Sequence, residues 1–283
     1  MAEPAVLERA RSEPGSEGTL RLAVERVAGR TRIVDLECSG PIQVLRSHHL
    51  DGGAPDIASI TMASPAGGVL QGDRLRMDVT VGAGARLVLD TQSATRLYRM
   101  PEREARIEAR FDIARGGFLE YVPDPWIPFA GSNTAVETTV VAHETATVLL
   151  GEVVAAGRVA RGEIFAMTSF RTSLVALRPS DDLLFTDATT LEAGQELADA
   201  GLLAGGSALG SLYVVWSGAD SDVLRAADSG AAWTGASTLP NAAGTWLRVI
   251  AADTGSARAA IAAARDAARM AALGFASPPS RRL

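Results

Sequence analysis

Three strand–turn–strand units, spaced by about 30 residues, constrain this chain more than any other feature. In the first, Leu75, Met77, Val79 and Val81 alternate with polar residues, Gly82-Ala83-Gly84 turns, and Leu87 to Leu89 resumes. In the second, Ile107, Ala109, Phe111 and Ile113 alternate, Arg115-Gly116-Gly117 turns, and Phe118 to Val122 follows. In the third, Val136 to Val141 leads through His143-Glu144 to Val148, Leu149 and Leu150. Alternation with period two marks strands with one buried face. No such unit buries that face alone, so the units are expected to stack on one another. Laid in register, Leu87, Phe118 and Val148 stand over one another. Thr91/Gln92, Val122/Pro123 and Glu152 then occupy equivalent rungs, and Gln92, Glu120 and Glu152 fall in neighbouring layers of one region.

The flanks extend the same pattern. Residues 1–18 are polar and aperiodic and are expected to form a mobile tail, leaving 19–283 as a single β domain. Leu20, Leu22 and Val24 alternate, and Val27-Ala28-Gly29-Arg30 turns into a second strand around Ile33 to Leu36, a hairpin signal. Strands are expected at 169–177, 182–185, 212–216 and 245–251. Residues 187–209, with Glu192 and Glu196 at helical spacing, read as a short helix and a loop. No helical pattern interrupts residues 19–190, which argues against a doubly wound α/β sheet. A helix is predicted at 255–274: Thr254 or Ser256 caps it, Gly274 ends it and Pro278-Pro279 prevent a restart. Its stripe Ile261, Ala264, Ala268, Ala271 is small and suits close packing on a sheet or a partner.

Composition removes several function classes. The 27 basic residues are all Arg and face 33 acids, a net charge of −6 with no basic block, so nucleic-acid binding is not expected. Cys38 is alone, which suits a reducing compartment, and no secretion signal stands at the N-terminus, so the cytoplasm is the expected location. No run approaches the roughly 18 apolar residues of a membrane span. His48, His49 and His143 give no HxxxH or HExxH pair, one Cys gives no zinc set, and no G-x-S-x-G elbow is present.

Three segments carry candidate chemistry. The first is the glycine-rich corner Ser64-Pro65-Ala66-Gly67-Gly68-Val69-Leu70-Gln71-Gly72-Asp73. It is no phosphate cradle, because a strand follows where a helix N-terminus is needed. The second is the hydroxyl-rich run Asp90 to Tyr98. The third runs from Glu120 through the proline-rich stretch to Gly131, then to Glu152 and to residues 157–163. Structural readings stand beside each. Asp73 can be a turn acid that accepts backbone N–H bonds, and Thr91 to Thr95 an edge strand. Residues 122–128 can be a rigid strand exit. Glu120 and Glu152, set in apolar strands, are buried only if paired, with Arg158 and Arg161 as the obvious partners.

Taken in order, the corner at 64–73, Thr91 to Tyr98, Glu120 to Gly131 and Gly157 to Glu163 resemble the urease accessory protein UreD (UreH) family, most strongly over residues 60–165. Gln71, Arg96 and Asp124 depart from that family's usual residues, and nothing transfers onto 187–243. The resemblance implies a mainly β fold, a layered β-helix-like stack with one or two helices, the last at the C-terminus. It implies no enzymatic activity. It implies instead a nickel-delivery scaffold that binds UreF and apo-urease, with UreG recruited through UreF. Nickel would be in transit through an internal tunnel, with no cofactor held tightly. The candidate tunnel acids are Asp73, Glu120, Glu152 and Glu163, with Arg158 and Arg161 orienting them. Gly67, Gly68, Gly72, Thr91, Gln92, Tyr98, Pro123 and Pro128 complete the motif set, and the C-terminal helix is expected to help dock UreF. The alternative from another class is a β-helical lyase or hydrolase acting on an acidic polysaccharide, against which the missing secretion signal counts.

Overall fold

Each repeated unit turns on the same backbone hydrogen bond, from the fourth turn residue back to the first. Ala85 N–H donates to Gly82 O at 3.0 Å, Gly117 to Ala114 and Ala146 to His143 at 2.9 Å each. The turns also bond to one another, Phe118 N–H to Ala85 O at 2.9 Å and Thr147 N–H to Gly117 O at 3.0 Å. Gly84 and Gly116 hold the same turn position with φ of 64°, where a side chain is strained. These turns carry the chain from one sheet to a second one facing it. The computed structural model describes residues 14–45, 48–49, 54, 56–64, 67–193, 197, 203–226, 230 and 232–277.

In chain order the strands begin with β1 (Glu17–Val27), β2 (Arg30–Ser39), β3 (Gln43–Val44), β4 (Ala58–Ala63) and β5 (Arg74–Val81). They continue with β6 (Arg86–Thr91), β7 (Thr95–Leu97), β8 (Ala105–Ile113), β9 (Phe118–Tyr121), β10 (Trp126–Pro128), β11 (Asn133–Ala142) and β12 (Thr147–Ala155). The last part holds β13 (Ser169–Leu177), β14 (Leu183–Glu192), β15 (Ala208–Val215), α1 (Ser221–Ala226), β16 (Trp233–Thr238), β17 (Gly244–Ala251) and α2 (Thr254–Leu273). The first sheet has the order β14-β13-β11-β8-β5-β1-β2, and the second β16-β17-β15-β12-β9-β6-β4-β3, with β7 and β10 paired at its side. The centres are parallel, β1-β5-β8-β11-β13 in one sheet and β4-β6-β9-β12 in the other. Antiparallel strands close the margins, including the expected β1–β2 hairpin. The chain therefore coils between two layers, as the stacked repeat predicts. The protein is mainly β and solenoid-like, with two helices.

The predicted register is wrong by one residue in the middle unit. Leu87 pairs with Leu119 and Leu119 with Val148; Val88, Glu120 and Leu149 form the next row. The three turns are equal in length, so Arg86, Phe118 and Thr147 are the equivalent first residues. Aligning on the first apolar residue misplaces Phe118, because the second sheet is buried on both faces. Inward, Leu87, Leu89, Leu119 and Val148 meet Val79, Val81, Phe111 and Ile113 of the first sheet. Outward, Phe118, Leu149, Leu212 and Val214 pack under α2. Side chains alternate between faces, so a slip of one residue reverses every assignment beyond it. Glu120 and Glu152 consequently lie on opposite faces of the sheet. They do not share one region.

α2 uses its small stripe against this sheet. Ala257, Ala260, Ile261, Ala264 and Ala268 are buried there, whereas Ala271 is exposed and Arg269 is buried. Gly210 of β15 lets Ile261 approach, since a Cβ on it would lie 3.1 Å from the isoleucine. The N-cap is Asp253 and neither Thr254 nor Ser256: its Oδ1 accepts from Ser256 N–H at 2.8 Å. Gly274 closes the helix in the left-handed conformation, as expected. Residues 187–192 belong to β14 and not to a helix, because β13 pairs with them throughout. Glu196, Pro278, Pro279 and most of the expected N-terminal tail lie outside the described residues.

Candidate functional site

The sequence motifs meet along the return path between successive layers. β7 and β10 run parallel, Thr95 beside Trp126 and Leu97 beside Pro128, and Val69 of the glycine-rich corner bridges to Leu97. Val69 N–H donates to Arg96 O at 2.8 Å, and Tyr98 N–H to Val69 O at 3.0 Å. Gly68 is required by this approach, because a Cβ there would stand 2.4 Å from Arg96 O. Gly72 lies against the Arg103 guanidinium. Asp73 is fully buried, and its carboxylate accepts from Ser16 N–H at 3.0 Å and Leu70 N–H at 2.8 Å. Burial pushes its carboxyl up, against the pull of these N–H groups. It ties the corner to the start of β1, in the manner of a turn acid.

Among the described residues two cavities lie between the sheets. The outer one, about 120 Å³, is lined by Gly67, Gly68, Thr91, Gln92 and Thr95 among others. The inner one, about 60 Å³, is lined by Pro123, Thr138, Glu152, Thr172, Asp187 and Tyr213 among others. Thr91 Oγ1 also accepts from Asp124 N–H at 2.8 Å, and so fixes the start of the proline-rich stretch. Of the four candidate acids only Glu152 lines either cavity.

Glu152 sits in a cross-strand row with Ser211 of β15 and Arg248 of β17. The Trp126 and Thr172 side chains line the same cavity and lie within hydrogen-bonding reach of its carboxylate. Arg248 donates to Asp187 at 2.9 Å and to Ser211 Oγ at 2.8 Å, and Tyr213 Oη donates to Asp187. Burial raises the Glu152 pKa to about 7; Arg248 draws it down and Asp187 adds to the rise. The same burial raises both Tyr121 and Tyr213, so their hydroxyls stay protonated. This corner offers two carboxylates, one balanced by an Arg and the other held between proton and charge near neutral pH.

The other two acids are occupied elsewhere. Glu120 lies under α2, 2.9 Å from Arg269 Nη1 and 3.7 Å from Arg265 Nε, with side-chain exposures of 4% for Glu120 and 1% for Arg269. Its partners are these helix residues and not Arg158 or Arg161. Glu163 takes a two-pronged bond from Arg158, one prong Nε to Oε2 at 2.8 Å, and accepts from Ala130 N–H at 3.1 Å. The Arg158 bond holds the Glu163 carboxyl below its usual range. Arg158 also lies 4.1 Å over the Phe129 ring, which Tyr98 meets edge-on at 5.1 Å. Arg161 is exposed in the turn 159–161, and Pro128 O crowds Gly157 at 3.0 Å from where a Cβ would be. These residues clamp one loop to the next outside the cavities.

Asp187, Tyr213 and Arg248 complete the inner site and were not among the sequence candidates, whereas Trp126 lies within the proline-rich candidate stretch but was not singled out. Arg248, a lone charge in the apolar run Trp246-Leu247-Arg248-Val249-Ile250, is the signal that points to it. Among the described residues no group of three or more His, Cys, Asp and Glu side chains is placed to hold a metal ion. Among them also, no helix is long and apolar enough to cross a membrane.

The family profile described as UreD urease accessory protein matches residues 16–282. The chain belongs to the UreD family. It is 34% identical over 287 residues to the urease accessory protein UreD of Haloarcula marismortui, covering 99% of this chain and 95% of that protein. It is 34% identical over 266 residues to the urease accessory protein UreD 2 of Streptomyces griseus, covering 91% and 89%. Against the urease accessory protein UreD 3 of Methylorubrum populi it is 33% identical over 251 residues, covering 85% and 81%. UreD relatives are named as accessory proteins and not as enzymes, which displaces the polysaccharide lyase or hydrolase alternative.

Proposed function

We propose that this UreD chain is a nickel-delivery scaffold that works in the cytoplasm with UreF, with UreG through UreF, and with the urease apoprotein. The observation that carries the reading is the pair of cavities in series between the sheets, with Glu152 on the wall of the inner one. Nickel(II) is a borderline cation that imidazole suits for tight binding, so one carboxylate with hydroxyl and carboxylate neighbours suits brief contact better than capture. In this reading the four acids are unequal. Glu152 is the one positioned to touch cargo, whereas Asp73, Glu120 and Glu163 hold the walls in place.

The test is urease activation at limiting nickel by the full chain assembled with UreF, UreG and apo-urease. Glu152→Gln is expected to lower activation several-fold with assembly intact. Asp73→Asn, Glu120→Gln and Glu163→Gln are expected to act through stability or assembly. Full activation by Glu152→Gln would remove the passage from the mechanism.

A further inference from the structure

The two cavities share four lining residues, two from each layer: Met77 and Ile107 from β5 and β8, Tyr121 and Trp126 from β9 and β10. An aliphatic chain, a thioether and two rings offer a hydrated divalent cation little to replace its water. Narrow apolar constrictions of this kind close by expelling water. An ion stripped there without new ligands faces a large desolvation cost.

Three of the four are fixed by their strands. β5 is paired on both sides by β1 and β8, β8 by β5 and β11, and β9 by β6 and β12. Trp126 is different. Its strand is three residues long, pairs on one side with the equally short β7 and touches β12 on the other through the single pair Trp126–Val154. Pro125 and Pro128 restrict the backbone on either side, which leaves the side chain as the freer part. The indole stands 6.2 Å from the Phe170 ring, lines the inner cavity together with Glu152 and lies within hydrogen-bonding reach of its carboxylate.

We propose that Met77, Ile107, Tyr121 and Trp126 form an apolar gate across the inter-sheet passage, with Trp126 as its moving leaf and Glu152 as the latch that holds it shut. The inference rests on the passage reading above. A divalent cation that reaches Glu152 from the inner cavity competes for the carboxylate that holds the indole. Cargo thereby loosens the leaf it must pass.

Two experiments on the full chain separate the gate from the passage. The first follows acrylamide quenching of the emission that Trp126→Phe removes. Glu152→Leu, which takes away the acceptor, is expected to raise that quenching several-fold. Glu152→Gln, whose amide oxygen still accepts the N–H, is expected to leave it at the wild-type level. Equal quenching in Glu152→Leu and wild type would overturn the latch.

The second measures nickel transfer to apo-urease in the reconstituted complex, with nickel chloride as the probe. Trp126→Ala is expected to speed transfer several-fold and Trp126→Phe, which keeps the packing, less so. Thr138→Trp, which fills the inner cavity, is expected to stop it; each variant's folding is checked by circular dichroism. Transfer at the wild-type rate in both Trp126 variants, with Thr138→Trp blocked, would overturn the gate and keep the passage. Transfer unaffected by Thr138→Trp would overturn the passage and the gate with it.

Discussion

Glu120 and Glu152 sit on neighbouring, otherwise apolar strands of one sheet and differ in the face they occupy. Glu120 faces out, where α2 places Arg269 and Arg265 over it and closes the site to water. Glu152 faces in, where the layers leave a cavity and its charge is only partly balanced. A carboxylate sealed with its partner gives cohesion between helix and sheet. A carboxylate left under-compensated beside open space is where perturbed protonation and ligand contact are expected. One step of strand parity separates the two roles.

Removing the helix tests the outer face most severely. The small-residue stripe of α2 is buried on β15 and its neighbours, so truncation before Thr254 uncovers Phe118, Leu149, Leu212, Val214 and Leu247 together. Loss of the folded, soluble chain is the expected outcome, read by circular dichroism and sedimentation. A truncated chain that stays folded and loses only UreF would return the helix to a docking role.

A smaller change probes the same face. Glu120→Ala takes the paired carboxylate away from the buried Arg269 and is expected to cost about 3–5 kcal/mol in urea unfolding. Glu120→Leu combined with Arg269→Met is expected to recover most of that, because a buried ion pair and a packed apolar pair are often of similar worth. A single variant that loses less than about 1 kcal/mol would show that water reaches the pair.

The inner face is expected to answer to pH. The Glu152 carboxyl keeps its proton up to about pH 7 in the folded chain, against an ordinary value of 4.5. Folding then favours the protonated form, so this group opposes stability increasingly as pH rises from 4.5 to 7 and fully above it. The accumulated effect is about 3 kcal/mol. Glu152→Gln is expected to remove that slope, and to stabilise the chain at pH 8 with little change at pH 4. Parallel wild-type and variant profiles in urea unfolding at pH 4 to 8 would mean that the carboxylate is solvated.

How much of this was legible in the sequence follows from range. Alternation along β5, β8 and β11, with glycine in the turns, is local chemistry, and it gave the stacked architecture. The register was not local. Phe118 reads as the first inward residue unless one knows that α2, far along the chain, covers the other face. The partners of Glu120 and Glu152 fail for the same reason. Arg158 and Arg161 are near in sequence, whereas Arg269 and Arg248 arrive from the last two elements. Asp187 was hidden in a segment whose Glu192 and Glu196 mimic helical spacing. Asp73 and Glu163 stood out because their motifs are compact, and both prove to be structural ties, Asp73 to Leu70 and Ser16 and Glu163 to Arg158 and Ala130.

The smallest expected effect lies outside both faces, at the Arg158–Glu163 clamp. Both side chains are partly exposed, at 31% and 20%, so water screens the pair and cohesion comes as much from the stack on Phe129 as from charge. Arg158→Lys keeps the charge and loses the fork and the flat face, and is expected to lower the melting temperature slightly. Arg158→Met, which keeps a long apolar stem and no charge, separates stacking from the ion pair. If charge dominated, Met would be much worse than Lys and the difference would vanish in 1 M salt, where screening acts within about 3 Å. Equal, salt-insensitive losses place the clamp among packing contacts, and set it apart from the carboxylates that decide what each face of the sheet does.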